Sequence, residues 1–360
     1  MINLRIPGPT PLPPDVQAAV GQQMINHRGA AFEQLLRETS GWLRLFFETE
    51  QQVYILTSSG TGAMEASIAN TLSPGDRVLA ISCGSFGDRY DDIARAYRAD
   101  VASLKFASGR AVDPDRVAEA VRAEGPFKAA ILTHNETSTG VLNDVQAIAA
   151  AVRAAGPDTL IMVDSISGLG GARLQMDAWD VDVVLTGSQK AWMAPPGLAM
   201  IALSPRAWRA YETAQNPRYY FDLGLARQYA ARAQTPSTPA LATLYGLHTS
   251  LQRMAAEGVA AVAARHEALA AHCRERALAL GMGLYAQAGH YSPTVTALTL
   301  PAGHQPDAVL KALVERYDIH CGSTKDPRVG VIRIGHMGYC SIADLDAVFA
   351  ALGDILSTAS

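Results

Sequence analysis

The sequence predicts an α/β protein, with a three-layer domain on a mainly parallel sheet followed by a smaller α+β C-terminal domain. Three observations carry this. Short, nearly continuous apolar runs recur between residues 52 and 186, as strands buried on both faces require. Segments of helical period alternate with them, as crossover connections demand. Around Pro236 to Pro239 this rhythm gives way to a long Ala-rich helical region and then to a short strand–helix–strand–helix series.

Taken in order, Pro7-Gly8-Pro9-Thr10-Pro11 with Pro13-Pro14 cannot be helical, because each proline lacks an amide donor and restricts its neighbour. An ordered arm is expected over 1–15, leading into a helix from Asp15 to Met24. A second helix, Ala31 to Phe47, places Leu35, Leu36, Trp42, Leu43 and Phe46 on one face. Then come the strand Gln52–Thr57, the helix Gly62–Leu72, the strand Arg77–Ile81 and the helix Asp88–Tyr97. The strand Lys128–Thr133, the helix Val145–Ala155 and the strands Thr159–Val163 and Asp182–Thr186 continue the series. The helical region Ala240–Leu280, broken at Gly246 and Gly258, links the two domains, expected at 16–245 and 246–360. The remainder holds the strand Thr294–Leu300, the helix Asp307–Tyr317, the strand Val331–Ile334 and the helix Ile342–Leu356.

Composition bounds the function. In 360 residues, 49% are hydrophobic and 18% charged, enough apolar material for two compact cores. A net charge of −4 gives no general attraction for nucleic acid or an anionic membrane, so an anion must be caught locally. The four cysteines form neither a CxxC pair nor a dense framework, which fits a reducing compartment. No apolar run of signal-peptide length opens the chain and none approaches about 18 residues, so a soluble cytoplasmic protein is expected.

Four loops carry candidate chemistry. Thr57-Ser58-Ser59-Gly60-Thr61-Gly62 lies between a strand and a helix, where free amides and hydroxyls either cradle a phosphate or merely cap the helix. Asp164 follows the apolar run Leu160–Val163; it could hold magnesium, cap a turn or pair with a protonated ring nitrogen. Lys190, after Thr186-Gly187-Ser188-Gln189, is either a surface charge or a lysine whose partial desolvation lowers its pKa towards a nucleophilic amine. Arg333, inside the apolar run Val331–Ile334, must meet a carboxylate of the protein or of a substrate. Together they match the needs of a pyridoxal phosphate enzyme acting on amino acids: a phosphate cradle, an acid for the pyridine nitrogen, a lysine for the aldehyde and an arginine for the α-carboxylate.

At this point the chain resembles the class V aminotransferases of fold type I, in the alanine–glyoxylate and serine–glyoxylate (serine–pyruvate) branch. The segments that carry the resemblance are PGPTPLP, SSGTGAMEA, Gly84-Ser85-Phe86-Gly87, THNETSTGV, VDSISGLGG, TGSQKAWMAPPG and RIGHMG. It implies Lys190 as the cofactor-bonding lysine and Asp164 as the partner of the pyridine nitrogen. Phe86 and Ile166 would face the two sides of the ring, and Thr137 the ring hydroxyl. Ser59, Gly60, Thr61 and Gln189 would hold the phosphate, with Thr235 reaching it from the second subunit of a homodimer with shared active sites. A tyrosine common in relatives is replaced, with Arg232 nearest. Arg333 would grip the α-carboxylate. The implied reaction is ping-pong transfer of an amino group from a small amino acid, alanine or serine, to a small 2-oxo acid, glyoxylate or pyruvate. Aspartate is the rival donor, served by Arg232 or Arg28, and a cysteine desulfurase using Cys321 is a remoter alternative. His27-Arg28 faces either the substrate mouth or a subunit contact, while His134 and His336 are expected to be structural.

Overall fold

The computed structural model describes residues 2–324 and 330–358. Its strands are β1 (Asn3–Arg5), β2 (Val53–Thr57), β3 (Arg77–Ser82), β4 (Asp100–Lys105), β5 (Ala129–Thr133), β6 (Asn135–Glu136) and β7 (Val141–Leu142), then β8 (Leu160–Asp164), β9 (Val183–Gly187), β10 (Leu198–Leu203), β11 (Gly283–Leu284), β12 (Val295–Thr299), β13 (Ile319–Ser323) and β14 (Val331–Gly335). The helices are α1 (Pro14–Val20), α2 (Ala30–Phe47), α3 (Gly60–Thr71), α4 (Ser85–Ala96), α5 (Pro114–Glu124) and α6 (Val145–Ala155), then α7 (Pro205–Thr213), α8 (Leu223–Ala230), α9 (Leu241–Glu257), α10 (Val259–Ala279), α11 (Pro306–Tyr317) and α12 (Ile342–Thr358).

Seven strands form the large sheet in the order β2-β10-β9-β8-β5-β3-β4, parallel except for β10, which is antiparallel to both neighbours. Successive strand residues serve opposite cores. Leu79, Ile81, Ala130, Leu132, Ile161 and Val163 pack on one side with Phe47 and Leu247, while Val78, Ala80, Ala129, Ile131, Leu160 and Met162 pack on the other with Met64 and Ile68. Helices on both faces explain why these strands are apolar throughout. The second sheet, β1-β13-β14-β12-β11, carries its own core of Leu298, Ile332, Ile334, Leu345, Phe349 and Leu352. The three-layer α/β class is as the sequence predicts.

Several elements go beyond those the sequence predicts: β4 and β10 of the large sheet, the helices α5, α7 and α8, and β1 and β13 of the small sheet. The arm is not a free strap: Asn3, Leu4 and Arg5 pair in parallel with Ile319, His320 and Cys321. Gly246 does not break the helical region. It lies inside α9, where a Cβ would stand 2.9 Å from Val20 and 3.0 Å from Pro195, so the missing side chain admits close packing. The break falls at Gly258 alone, whose φ of +90° a residue with a Cβ resists. The boundary expected at 245/246 therefore falls within a continuous helix that packs against α1 and α2.

Candidate active site

The candidate residues gather beyond the C-terminal ends of the strands that run parallel in the large sheet, where such sheets place their functional groups. β2 leads to Ser59–Thr61, β3 to Phe86, β5 to Glu136 and Thr137, β8 ends on Asp164, and β9 leads to Gln189 and Lys190.

Asp164 is 2% exposed. Burial raises its carboxyl to about 7, opposed by the Ile166 amide that donates to Oδ1 at 2.8 Å, and the neighbouring acid Glu136 raises it further. Lys190 is held through its backbone: Thr10 Oγ1 donates to Lys190 O at 3.0 Å, and the Thr10 amide to Gln189 O at 3.1 Å. The turn behind it is rigid, with Trp192 fully buried and donating from Nε1 to Thr186 Oγ1 at 3.0 Å, and Ser188 Oγ donating to Pro195 O at 2.6 Å. Burial, reinforced by the positive charges of Arg333 and Arg89, lowers the Lys190 ammonium to about 8, with Asp164 pulling the other way. Its Nζ donates to Pro7 O. A lysine so placed supplies the neutral amine that a surface lysine lacks near neutral pH.

The candidate phosphate cradle lies at the start of α3. Ser59 sits at the N-cap of α3 with extended geometry (φ −76°, ψ 166°) but makes no side-chain capping bond, unlike the caps Asp113, Asp144, Ser204 and Asp222 of α5 to α8. Capping therefore does not account for its hydroxyl. A Cβ on Gly60 would stand 2.5 Å from Ile166 Cδ1, so glycine there is what lets the start of α3 close on Ile166, while Gly187 at the end of β9 lies in ordinary contact with Gly60. Gln189 Oε1 is buried there without a hydrogen-bond partner.

Arg333 on β14 comes in from the small sheet. Its Nη1 donates to Thr137 O at 3.0 Å and its Nη2 to Ser323 O, while Nε is buried and unpartnered. Burial lowers its pKa, offset by the charge of Glu136. Among the described residues it forms no ion pair, and a guanidinium so placed is suited to a bound carboxylate. Thr137 Oγ1 shares a 2.6 Å hydrogen bond with Ser167 Oγ.

Phe86 begins α4 at the site, with the Arg89 guanidinium 4.8 Å above its ring. Arg89 and Glu136 are site residues that the motifs do not single out; Arg89 sits one turn after Phe86 on the same helix, which is the one local signal for it. Thr235 is not joined to the cradle within one chain: its Oγ1 donates to Ser237 O at 2.8 Å and its carbonyl accepts from Arg28 Nη1 at 2.6 Å. Arg28 and Arg232 stand 5.3 and 5.0 Å from the Tyr229 ring. His134 and His336 are buried, lowered to about 4 and about 3, and hydrogen-bonded to Ser165 and to Thr296 and Pro293. Cys321 lies in β13 opposite Arg5 rather than in a loop, and burial pushes its thiol up to about 12, far from a thiolate nucleophile.

A desolvated lysine within electrostatic reach of a buried acid and a half-buried arginine is the set of groups that an enzyme handling amino acids on pyridoxal phosphate requires. Residues 5–347 match the Aminotransferase class-V family. The chain is 40% identical to a Synechococcus protein named as the small subunit of a soluble hydrogenase, over 98% of this chain and 92% of that one. It is 38% identical to a protein of Paracoccus denitrificans named L-aspartate–glyoxylate aminotransferase, over 97% of this chain and 91% of that one. The crystal structure of an alanine–glyoxylate aminotransferase from Nostoc sp. superposes with a TM-score of 0.94 at 30% identity, covering 99% of this chain and 95% of the other. The chain belongs to the class-V aminotransferases, and pyridoxal phosphate is the cofactor that this membership implies. Among the described residues no helix is long and apolar enough to cross a membrane.

Proposed function

We propose that this enzyme moves the amino group of a small amino acid, alanine or serine, to a small 2-oxo acid, glyoxylate or pyruvate, in two half-reactions on one site. The observation that carries this reading is the gathering of Lys190, Asp164 and Arg333 within electrostatic reach of one another in a chain of the class-V aminotransferase family. The residues fit the cofactor: the close approach allowed by Gly60, the unpartnered Gln189 Oε1 and the neutral-leaning amine are each of the kind it needs. When bound, pyridoxal phosphate supplies the sink for the electrons left as the donor's Cα–H bond breaks.

The chain's own groups do the rest. Ser59, Gly60, Thr61 and Gln189 hold the phosphate, the α3 amides adding their positive end. Phe86 and Ile166 face the ring, Thr137 its hydroxyl, and Asp164 keeps a proton on the pyridine nitrogen. Arg333 fixes the α-carboxylate and so aims the Cα–H bond at Lys190. With the cofactor bound, Lys190 Nζ would take the proton from Cα and give it back later in the same half-reaction, acting as base and then as acid. Because both half-reactions use the same Arg333 and Lys190, the first product leaves before the second substrate enters, and ping-pong kinetics follow.

Thr235, turned away from its own cradle, is read as completing that of a second copy, which makes the working unit a homodimer. The four free cysteines suit the cytoplasm. A second donor, aspartate, is favoured by Arg89, a second cation electrostatically coupled to Lys190 and Asp164, and by the likeness to the Paracoccus denitrificans protein. The name of the Synechococcus protein speaks of a hydrogenase; among the described residues no three His, Cys, Asp or Glu side chains gather as metal ligands. A single-turnover screen decides between donors: the enzyme's visible absorption should be bleached rapidly by alanine or serine, and a response confined to aspartate would replace them.

A further inference from the structure

Beside Thr137 lies Glu136, a carboxylate with no role in the chemistry above. It is fully buried. Oε2 accepts the backbone N–H groups of Phe86 and Gly87, both at 3.1 Å, and Oε1 accepts the N–H and hydroxyl of Ser138 at 3.0 and 2.5 Å. Among the described residues it forms no ion pair, so its charge is met by these donors and by the N-terminal end of α4. Burial pushes its carboxyl up all the same.

Two further observations give this arrangement a direction. The first turn of α4, which carries Phe86, is flanked by a cavity of about 290 Å³ lined by Gly84, Ser85, Asp88, Ser138 and Thr139. A Cβ on Gly84 would stand 2.6 Å from Glu136 Cγ and Cδ, so the loop is seated directly on the carboxylate. The next residue, Thr137, gives its carbonyl to Arg333 Nη1 at 3.0 Å. One dipeptide thus holds the backbone of Phe86 at the start of α4 and the guanidinium that arrives from the small sheet.

We propose that Glu136 is a positioning residue that seats the Phe86 turn and, through the carbonyl of the adjoining Thr137, keeps Arg333 in register with it, so that the cofactor and substrate halves of the site are assembled by one dipeptide. It rests on the site reading above, in which Phe86 faces the ring. Both oxygens of the carboxylate accept backbone N–H groups, and an amide of the same shape removes the charge and turns one of these acceptors into a donor. The effect expected is on the geometry of the site, beyond any change in stability.

The test is Glu136→Gln, with cofactor affinity measured by fluorescence titration of apoprotein and binding geometry by visible circular dichroism of the reloaded enzyme. The apoprotein should still fold cooperatively, melting somewhat below wild type because the amide NH2 now faces a backbone N–H, and should bind pyridoxal phosphate about ten- to a hundredfold more weakly, as loss of charge-assisted hydrogen bonds implies. The dichroic band should shrink, and the amino donor's KM should rise more than kcat falls. In a Phe86→Leu background the same substitution should weaken binding by less than about threefold, because the two act through one contact. A lower melting temperature with unchanged affinity and dichroism would mark a merely structural carboxylate and overturn the proposal. If Glu136→Gln fails to fold, Ser138→Ala, which removes a donor from Oε1, must show the weaker binding and smaller band; wild-type values there also overturn it. Phe86→Leu binding as tightly as wild type would instead refute the site reading, and the inference with it.

Discussion

Lys190 Nζ donates a hydrogen bond to the carbonyl oxygen of Pro7, 183 residues away in the chain. The arm is thereby part of the reaction site. Gly8 follows with φ +103°, and a Cβ there would stand 2.8 Å from both Cδ and Nζ of Lys190. Gly8→Ala should displace the lysine at a cost of about 1–3 kcal/mol of backbone strain and contact, read as slower cofactor capture by the apoprotein. Capture at the wild-type rate would sink this.

Lys190→Ala should abolish borohydride-fixable cofactor and slow transamination by more than about a thousandfold, since proton transfer and covalent capture are lost together. In the wild-type apoprotein the capture rate should rise with pH through about 8, the position to which burial lowers this amine, and level off above it. A rate that climbs only above about pH 10 would show an ordinary surface lysine.

Asp164 offers a test through stability. Its carboxyl stands at about 7 in the folded chain against an ordinary 3.8, so the folded state binds the proton more tightly and stability from this group falls as pH rises from about 4 to 7. Asp164→Asn should remove that fall: the apoprotein at about pH 8 should melt higher than wild type while transamination drops by at least about a hundredfold. Thermal melts at about pH 5 and about pH 8, either side of the folded value, check the sign.

Arg333→Lys keeps a charge but loses the planar fork. The donor's KM should rise by about tenfold to a hundredfold while the visible band of bound cofactor stays in place, because no cofactor contact is assigned to this residue. Unchanged KM for every amino acid tested would remove Arg333 from the substrate site.

Mixing Lys190→Ala with Thr235→Ala chains and letting them exchange should restore about a quarter of wild-type sites at limiting cofactor, since half the dimers become hybrids with one intact site. No recovery on mixing would show that Thr235 serves its own chain.

Much of the site is legible in the sequence because its members sit where an apolar strand stops. Asp164 and Lys190 each interrupt a buried run with a charged group, and that contrast is local. Arg333 is found the same way. Glu136 escapes such a reading because Thr133–Thr139 has the character of a polar loop, and only the fold turns its carboxylate towards Phe86. β4 is hidden as an edge strand, Asp-Val-Ala-Ser-Leu-Lys, half exposed and therefore mixed in character. β10 follows Pro195-Pro196-Gly197, which reads as the start of a loop. Gly246 has the look of a break because composition alone cannot distinguish a glycine that ends a helix from one that lets another element close on it.

The pairing of β1 with β13, fastened further by Asn3 Nδ2 donating to Asp344 O across 341 residues, gives the site a late position in folding. Contacts so distant close slowly. On dilution from denaturant, helical signal should return before cofactor is captured, because the lysine gains its Pro7 partner only when the two ends of the chain have met. Handling matters too: an affinity tag placed ahead of Asn3 would hang beside a working sheet edge and near the catalytic amine, so purification handles are better kept away from that end.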